Sequence, residues 1–385
     1  MKRIEWLDGI KGIAAMGVFT HHFLLGFLQS TYSGNNVSAH VSAQLEYGFA
    51  QSPLSVVVNG NFLVCVFCLI SAIVMSLQTM RLKDKSTLVD ILLKRYFKLM
   101  IPVFFVCLII YIMINTHMFG HVDYAKTVLD STWLANYYTE SSVPLNKVFS
   151  SALYEIWLRG DTTFSSAFWM LNILFIGSYI SICLSCIYWK GGKKSIWVSG
   201  VMAWMLWCVS YKYYAIFALG TLMAGIYKEY VVKKNKIEKS VGIFMCLLGL
   251  FLGGFPTGVV ATNVYMYLPG QNLLGYDGIH IIGAVFVIGG IYLCGSIYWL
   301  ETKLPQFLGR ISYWIYLVHF PIIFSVSVQC FKGIYSMSTN YLTALVVTYI
   351  MTVVTILLSC LILENTVGKF TKHVTNYIVK IICGD

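Results

Sequence analysis

Two ionisable residue types share one stripe of the first apolar segment, Trp6 to Leu25. Lys11 and His22 are eleven positions apart, about three helical turns and ~16 Å of rise, so both side chains return to nearly the same face. Ionisable groups inside a membrane segment are unfavourable and by default indicate a functional site. A neutral imidazole takes a proton from a hydroxyl and returns it to a leaving group, which makes His22 a candidate general base. The alternative is that His22 and its neighbour His21, which points about 100° away on a helix, are structural hydrogen-bonding groups.

A second histidine lies in an apolar segment near the C-terminus. Arg310 marks one end of this segment, and His319 follows about 13 Å further along a helix. Pro321 leaves the carbonyl of Leu317 without its helical partner, which adds polarity inside the segment. Two histidines at depth, each with a cation towards one end, indicate a shared tunnel. The sequence has no HExxH pattern and no carboxylate next to either histidine along the chain, so we predict no metal site.

Further cations are placed to bind an anion at the mouth of such a tunnel. Arg95 and Lys98 belong to a charged run that begins at Lys94 and precedes Pro102. A simpler explanation is that Lys11 snorkels to the interface and that the run sets orientation. An acyl-CoA fits the layout, because its nucleotide end is anionic and its pantetheine arm is long and thin. Its thioester would then meet an acceptor hydroxyl arriving from the other side.

The elements that must hold these residues are membrane helices. The chain has 385 residues, of which 58% are hydrophobic and 11% charged, whereas a soluble domain carries about 25% charged residues. We predict an all-α polytopic membrane protein, with a single domain over residues 1–365 and an amphipathic cytoplasmic tail over 366–385. About ten transmembrane helices of roughly 20 residues are predicted, at 9–29, 55–79, 97–117, 166–188, 195–210, 213–227, 240–256, 278–299, 312–331 and 342–363.

The distribution of positive charge predicts the orientation. All but five of the 27 Lys and Arg residues fall in segments that are cytoplasmic if both termini are cytoplasmic; the five are Lys126, Lys147, Arg159, Lys212 and Lys332. We therefore predict a multi-pass protein of the cytoplasmic membrane without a cleavable signal peptide. The net charge of +11 reflects these loops, so no nucleic-acid partner is predicted. The 11 cysteines lie mostly in apolar segments and predict core packing, not disulfides.

Two predicted outer loops carry polar and aromatic residues. Residues 30–54 lack Lys and Arg, and residues 118–165 contain aromatic side chains beside carboxylates, including Trp133, Trp157 and Glu155. Such residues suit stacking on sugar rings. They equally suit an interfacial aromatic belt with re-entrant or amphipathic segments.

Five sequence patterns resemble those of the membrane acyltransferase 3 family. Leu7-Asp8-Gly9-Ile10-Lys11-Gly12-Ile13-Ala14-Ala15 leads to His22 at the separation seen in the family's opening pattern. Asn59-Gly60-Asn61-Phe62 through Ser71 matches the second element loosely, and Arg95-x-x-Lys98 stands for the family's RxxR. The pattern SYxxYLxHxP is matched completely by Ser312, Tyr313, Tyr316, Leu317, His319 and Pro321. Trp169-x-Leu171 is kept, but Leu174 stands where many members carry a glutamate.

This resemblance implies a ten-helix O-acyltransferase. It implies transfer of an acetyl or other short acyl group from acetyl-CoA or a similar acyl-CoA to a hydroxyl of a surface polysaccharide or glycolipid. His22 would be catalytic, and Lys11, Arg95 and Lys98 would bind the donor. We add His319 to the catalytic residues, where it either positions a substrate or hydrogen-bonds His22. We also assign Arg310 to donor binding and four residues to substrate binding, namely Trp169, Asn172, Tyr313 and Tyr316.

Two other classes of function stay open at this point. Predicted spans with intramembrane histidines also fit a secondary transporter or glycolipid flippase, although we find no matched broken helices and no buried acidic relay. A non-catalytic membrane assembly partner has generic support. The motifs name neither the acceptor nor the acyl chain length, and the oligomeric state is open.

Overall fold

The structure, a computed structural model, describes residues 4–82, 86–230, 236–295 and 297–383, apart from the side chains of Ser86, Thr87, Asn263 and Cys383. This part of the chain is helical and contains no strand. The longer helices are α1 (Glu5–Phe27), α2 (Gly60–Thr79), α3 (Ser86–Asn115), α4 (Trp169–Gly191), α5 (Trp197–Cys208), α6 (Lys212–Glu229), α7 (Lys236–Gly253), α8 (Gln271–Cys294), α9 (Lys303–Ile322), α10 (Val328–Ser338), α11 (Tyr341–Leu363) and α12 (Lys369–Cys383). The predicted all-α membrane fold is confirmed.

Seven segments of the described chain are long and apolar enough to cross a membrane. They are Glu5–Phe27, Gly60–Thr79, Leu88–Asn115, Ser166–Gly191, Gln271–Cys294, Lys303–Ser338 and Tyr341–Ile382, and they correspond to the first four and the last three predicted spans. The remaining three predictions fall on α5, α6 and α7. Helix α5 has 12 residues, a rise of about 18 Å, and α6 and α7 have 18 residues each with charged residues near their ends. Ten spans and cytoplasmic termini therefore stay predictions.

Helix α2 is the centre of the bundle. It packs against α1, α4, α6 and α8, and most of its residues are buried because it is apolar on every side. Its few polar groups are satisfied by neighbouring helices. The Ser76 hydroxyl, for example, lies 2.8 Å from that of Thr221 on α6.

Small residues let α1 and α9 approach closely. A Cβ atom added to Gly12 would lie 2.4 Å from the backbone nitrogen of Gly309, and one added to Gly309 would lie 2.2 Å from the carbonyl oxygen of Asp8. Only glycine permits such backbone contact, which is how small residues act at helix interfaces in membranes. This contact holds the helix of His22 against the helix of His319.

Helix α9 changes its hydrogen-bonding pattern beyond Pro321. A π-helical segment, Ile323–Ser327, joins α9 to α10. The Ser325 hydroxyl donates to the Pro321 carbonyl at 2.6 Å, so this backbone carbonyl gains a side-chain hydrogen-bond partner where the helical pattern changes. A second π-helical segment, Glu364–Gly368, joins α11 to α12.

The predicted tail lies on α12, which packs along α3. Thr371, Thr375 and Val379 are buried at four-residue spacing, and the Phe370 ring lies 5.8 Å from that of Phe105. One face of the tail is thus covered by α3.

The long segment between α3 and α4 contains a helix that runs back along α3. Residues 145–159 form successive helical turns. The Phe149 ring lies 5.4 Å from that of Phe104, and the Tyr96 hydroxyl donates to the carbonyl of Leu153 at 2.8 Å. Because Tyr96 lies about 28 Å below Asn115 at 1.5 Å per residue, this loop re-enters the helical bundle and does not stay at its rim.

The shorter loop between α1 and α2 is fixed by one carboxylate. Glu46 accepts from the Ser30 hydroxyl and from backbone N–H groups of Val41 at 2.6 Å and Ser42 at 2.8 Å. Burial opposes ionisation, but these donors outweigh it and hold the pKa of Glu46 below the ordinary carboxyl value. The loop therefore keeps a fixed shape above the end of α1.

Candidate functional site

His22 and His319 form a hydrogen-bonded pair between α1 and α9. His22 Nδ1 lies 2.9 Å from His319 Nε2, and the two rings lie 5.0 Å apart with an interplanar angle of 23°. His319 is fully buried, whereas His22 is partly exposed. Sequence analysis left open whether His319 positions a substrate or hydrogen-bonds His22, and the structure has that hydrogen bond.

The partner of His319 decides which nitrogen of each ring carries hydrogen. His319 Nδ1 lies 3.0 Å from the carbonyl oxygen of Ile315, which can only accept. Nδ1 of His319 therefore carries the hydrogen and, in the neutral ring, Nε2 accepts from Nδ1–H of His22. This leaves Nε2 of His22 with a lone pair and without a hydrogen-bond partner among the described residues. An imidazole held in this way has one nitrogen available to take a proton.

His22 lines a cavity of about 180 Å³, the histidine cavity. The cavity lies between α1, the start of α2, the start of α4 and the start of α8. Its lining residues are Val18, His21, His22, Tyr32, Gly60, Asn61, Val64, Trp169, Thr257 and Tyr276. Hydroxyl, amide, imidazole and aromatic residues therefore line the same cavity as His22.

His21 lines the same cavity, which the helical angle between His21 and His22 did not predict. His21 Nδ1 donates to the carbonyl of Val58 at 3.0 Å, and its ring lies 5.3 Å from that of His22. Gly60 makes room for it, because a Cβ atom there would lie 2.5 Å from Cδ2 of His21. The close approach of α2 to α1 thus fixes the second ring.

Trp133 covers His22 from the long loop. The two rings stack at 5.5 Å with an interplanar angle of 15°. Ser131 anchors this part of the loop, since its hydroxyl donates to the carbonyl of Leu25 on α1 at 2.7 Å. The aromatic residues of this loop pack on the site and the core; Trp157, for instance, is buried.

A hydrogen-bonded network lies behind Asn61, one of the residues that line the histidine cavity. Asn61 Nδ2 donates to Tyr213 Oη at 2.5 Å and to Asp277 Oδ1 at 3.1 Å, and Tyr213 donates to the same carboxylate oxygen at 2.5 Å. Behind them, Nδ1 of His280 lies 2.9 Å from Asn61 Oδ1, which turns the amide nitrogen towards Asp277. Sequence analysis assigned no role to Tyr213, Asp277 or His280.

A left-handed glycine places Tyr276 at the histidine cavity and Asp277 next to it. Within α8, Gly275 has φ 63° and ψ 174°, which breaks the helix there. Tyr276 and Asp277 then begin the part that enters the bundle. A side chain at Gly275 would be strained by this φ.

A second cavity, of about 730 Å³, opens at the Glu5 end of α1. We call it the basic cavity, and its lining residues are Ile4, Leu7, Asp8, Val74, Leu77, Gln78, Arg81 and Lys98. Both cavities lie between α1 and α2, with about 22 Å of helix rise between Leu7 and His22. Lys11 lies between them, with Nζ 5.3 Å from the centre of the Phe67 ring.

Comparison with known families identifies the chain. The model of the acyltransferase 3 family, whose description is "Acyltransferase domain", matches residues 4–364, nearly the whole chain. The protein is a member of this family. No curated protein and no solved structure matches the chain.

The acyltransferase has one of its predicted donor-site cations in the basic cavity. Lys98 lines the basic cavity, together with Arg81, which was not predicted. Arg95 lies deeper, where Nε donates to the Ser178 hydroxyl at 3.0 Å, and its buried Nη2 has no hydrogen-bond partner among the described residues. Arg310 is exposed and lies 5.5 Å from the Phe307 ring. It is not among the lining residues of either cavity.

The predicted substrate-binding residues of the acyltransferase separate into two groups. Trp169 lines the histidine cavity. The other three are engaged with backbone or neighbouring side chains: Tyr313 donates to Leu99 O at 3.0 Å, Tyr316 donates to Ala167 O, and Asn172 donates to Trp157 O at 2.6 Å. Their contacts connect α3, α4 and α9 and give them a structural role in this conformation.

The described residues contain no cluster of three or more His, Cys, Asp or Glu side chains that could hold a metal ion. The residues that line the histidine cavity supply imidazole, amide, hydroxyl and aromatic groups. The family implies an acyl donor and an acceptor, and two separate cavities lie along α1.

Proposed function

We propose that this protein is an integral-membrane O-acyltransferase that transfers an acetyl or other short acyl group from cytoplasmic acyl-CoA to a hydroxyl of a surface polysaccharide or glycolipid. The observation that carries the proposal is the chain of contacts from Ile315 O through His319 to His22. It leaves Nε2 of His22 as a base at a cavity lined by polar and aromatic groups. Membership of the acyltransferase family supports the reaction class.

The basic cavity supports donor binding. Arg81 and Lys98 at its wall suit the phosphates of a nucleotide. The pantetheine arm would run between α1 and α2, past Lys11 and towards Arg95, whose Nη2 lacks a partner among the described residues. The thioester would then reach the histidine cavity from the Glu5 end of α1, and the acceptor would enter from the other end.

His22 moves one proton in each direction during the transfer. As the acceptor oxygen attacks the thioester carbonyl, the hydroxyl proton passes to Nε2 of His22. His319 accepts the hydrogen bond from Nδ1–H throughout and stabilises the imidazolium. When the C–S bond breaks, His22 returns the proton to the departing thiolate, so the products are an ester and the free thiol of CoA.

The test replaces the base. We expect His22→Ala to lower acyl transfer by about 10²- to 10⁴-fold, because general base catalysis contributes on that order. Purified protein is incubated with acetyl-CoA and surface glycan from the producing cells, stripped of O-acyl groups by mild alkali. Thiol release and the acetyl content of the glycan are measured.

His373→Ala is the matched control, because His373 is exposed on α12 and is not among the lining residues of either cavity. It should transfer acetyl groups at the wild-type rate. Full activity of His22→Ala would refute His22 as the base. Absence of thiol release by the wild-type protein, with glycan flux in liposomes, would instead favour the transporter.

A further inference from the structure

Asp277 lies beside the histidine cavity, behind its lining residues, and its carboxylate has the features of a group that binds a ligand there. One of its carboxylate oxygens, Oδ1, accepts from both Asn61 and Tyr213. The other, Oδ2, has no hydrogen-bond partner among the described residues, and the side chain is half-buried. Asn61 and Tyr276, on either side of it, both line the cavity. The carboxylate is thus held in place by one oxygen, while its second oxygen remains able to accept.

No Lys, Arg or His side chain in the described ranges forms an ion pair with Asp277. A carboxylate in a membrane protein's interior is unfavourable unless its lone pairs receive hydrogen bonds. An ionised carboxylate only accepts, so a ligand that satisfies Oδ2 must present O–H or N–H groups.

An aromatic surface stands beside this carboxylate. Trp169 is 37% exposed and lines the cavity. Its ring lies 5.3 Å from that of Tyr213, whose hydroxyl holds Asp277. A sugar ring offers what both groups need, because its hydroxyls donate to a carboxylate and its C–H face packs on an aromatic ring.

We propose that Asp277, held by Asn61 and Tyr213, binds the acceptor by accepting hydrogen bonds from hydroxyls of a sugar ring that packs on Trp169. The inference rests on the proposed function, and it adds the residues that select a saccharide. The bound ring places a further hydroxyl at His22, on the same cavity. Asp277 therefore acts on acceptor affinity, while His22 acts on the proton.

The decisive variant is Asp277→Asn in the full-length protein. Initial rates are measured with acetyl-CoA and with the alkali-treated surface glycan, each varied in turn. We expect the KM for the glycan to rise by about 10- to 100-fold, the loss typical of a hydrogen bond to a charged group. The KM for acetyl-CoA should stay within about twofold, since the donor enters at the other end of α1. Tyr213→Phe, which removes one of the donors that hold Asp277, should raise the KM for the glycan by a smaller factor.

Two control variants match these changes in chemistry. Asp123→Asn removes a carboxylate that is exposed in the long loop, and Tyr292→Phe removes a hydroxyl that donates to the carbonyl of Tyr230 far from the cavity. Both should keep the wild-type KM for the glycan. An unchanged KM for the glycan in Asp277→Asn, or a rise confined to acetyl-CoA, would overturn the proposal.

Glycan binding without donor separates this inference from the proposed function. Isothermal titration calorimetry with the same glycan should give weaker binding to Asp277→Asn than to wild type, whether or not acyl transfer occurs. A wild-type protein that binds glycan but releases no thiol would refute the transferase and leave the saccharide site. Equal glycan affinity in both proteins would refute the saccharide site. If Asp277→Asn loses its thermal transition, the glycan affinity of Tyr213→Phe is measured in the same way. Its comparison with the affinity of the wild type then tests the saccharide site.

Discussion

At the scale of single residues, the site depends on which nitrogen carries a hydrogen. Spacing predicted that Lys11 and His22 share a stripe of α1, and it predicted a second histidine at similar depth. It left open whether His319 binds His22 or positions a substrate, because a contact between helices depends on their rotation and axial offset. Neither quantity can be read from one helix alone. The Ile315 carbonyl, which determines the tautomer of His319, is a backbone group. Every residue has such a group, so the residue type does not indicate this contact.

Substitution of His319 tests this arrangement. His319→Leu removes the acceptor for Nδ1–H of His22, so the His22 ring can take the other tautomer or turn. We expect kcat to fall by about 10²- to 10⁴-fold, with a smaller change in the KM for acetyl-CoA. His319→Gln offers a side-chain oxygen to Nδ1–H and should recover part of kcat. Steady-state kinetics with both substrates measures the effect.

Thermal unfolding provides the check on this prediction. Because His319 is buried, both variants are expected to melt below wild type, and their melting temperatures should be compared. Equal kcat in the Leu and Gln variants would mean that His319 fills space and does not orient His22.

At the scale of helices, the pair exists because α1 and α9 touch through glycine. Sequence analysis used Gly12 as a motif position and did not predict its contact with Gly309. Asp277 escaped prediction for a related reason: the eighth span was predicted to begin at residue 278, so the aspartate was assigned to a loop. The break at Gly275 brings Tyr276 and Asp277 into the bundle, and it depends on a left-handed φ that a hydropathy pattern does not register.

Gly309→Ala tests the helix contact. The added Cβ atom would lie 2.2 Å from the Asp8 carbonyl, so α9 must move away from α1. We expect a loss of about 1–3 kcal/mol in stability, in line with overpacking in a close-packed interior, and a fall in transfer rate as His319 moves from His22. Melting temperature in detergent and acetyl transfer are the measurements.

Gly333→Ala is the matched substitution, on α10 of the same continuous run of helix. A Cβ atom at Gly333 meets nothing within 4 Å. This variant should be as stable as wild type or more stable by up to about 1 kcal/mol. Equal losses in both variants would show that the glycine content of the helices, not the contact, determines stability.

At the scale of the whole molecule, hydropathy correctly predicted an all-α fold with long apolar helices. The number of ten membrane crossings remains a prediction. The first four and last three predicted spans coincide with long apolar helices, because about 20 apolar residues in one run have few other stable arrangements. Spans in the middle of the chain are harder to predict from hydropathy, since α5, α6 and α7 are short or carry charged ends. Neighbouring helices cover part of their length, and a hydropathy profile contains no information on contacts between helices.

Cysteine labelling tests the crossings. Ser210 and Lys194 are exposed at opposite ends of α5. If α5 crosses the membrane as predicted, Ser210→Cys should react with a membrane-impermeant maleimide in intact cells, and Lys194→Cys only after permeabilisation. Labelling is measured above that of the unsubstituted chain, which has exposed cysteines of its own. Reaction of both positions in intact cells would show that α5 does not cross.

The hydrogen bond between His22 and His319 joins residues 297 positions apart. The chain is synthesised from its N-terminal end, so most of the protein is translated after α1 and before α9 is available to pack against it. A partly synthesised chain therefore has His22 without the partner that binds it in the folded protein. Under the proposed function, the site is complete only at a late step of assembly, and a chain that ends before α9 should transfer no acyl group.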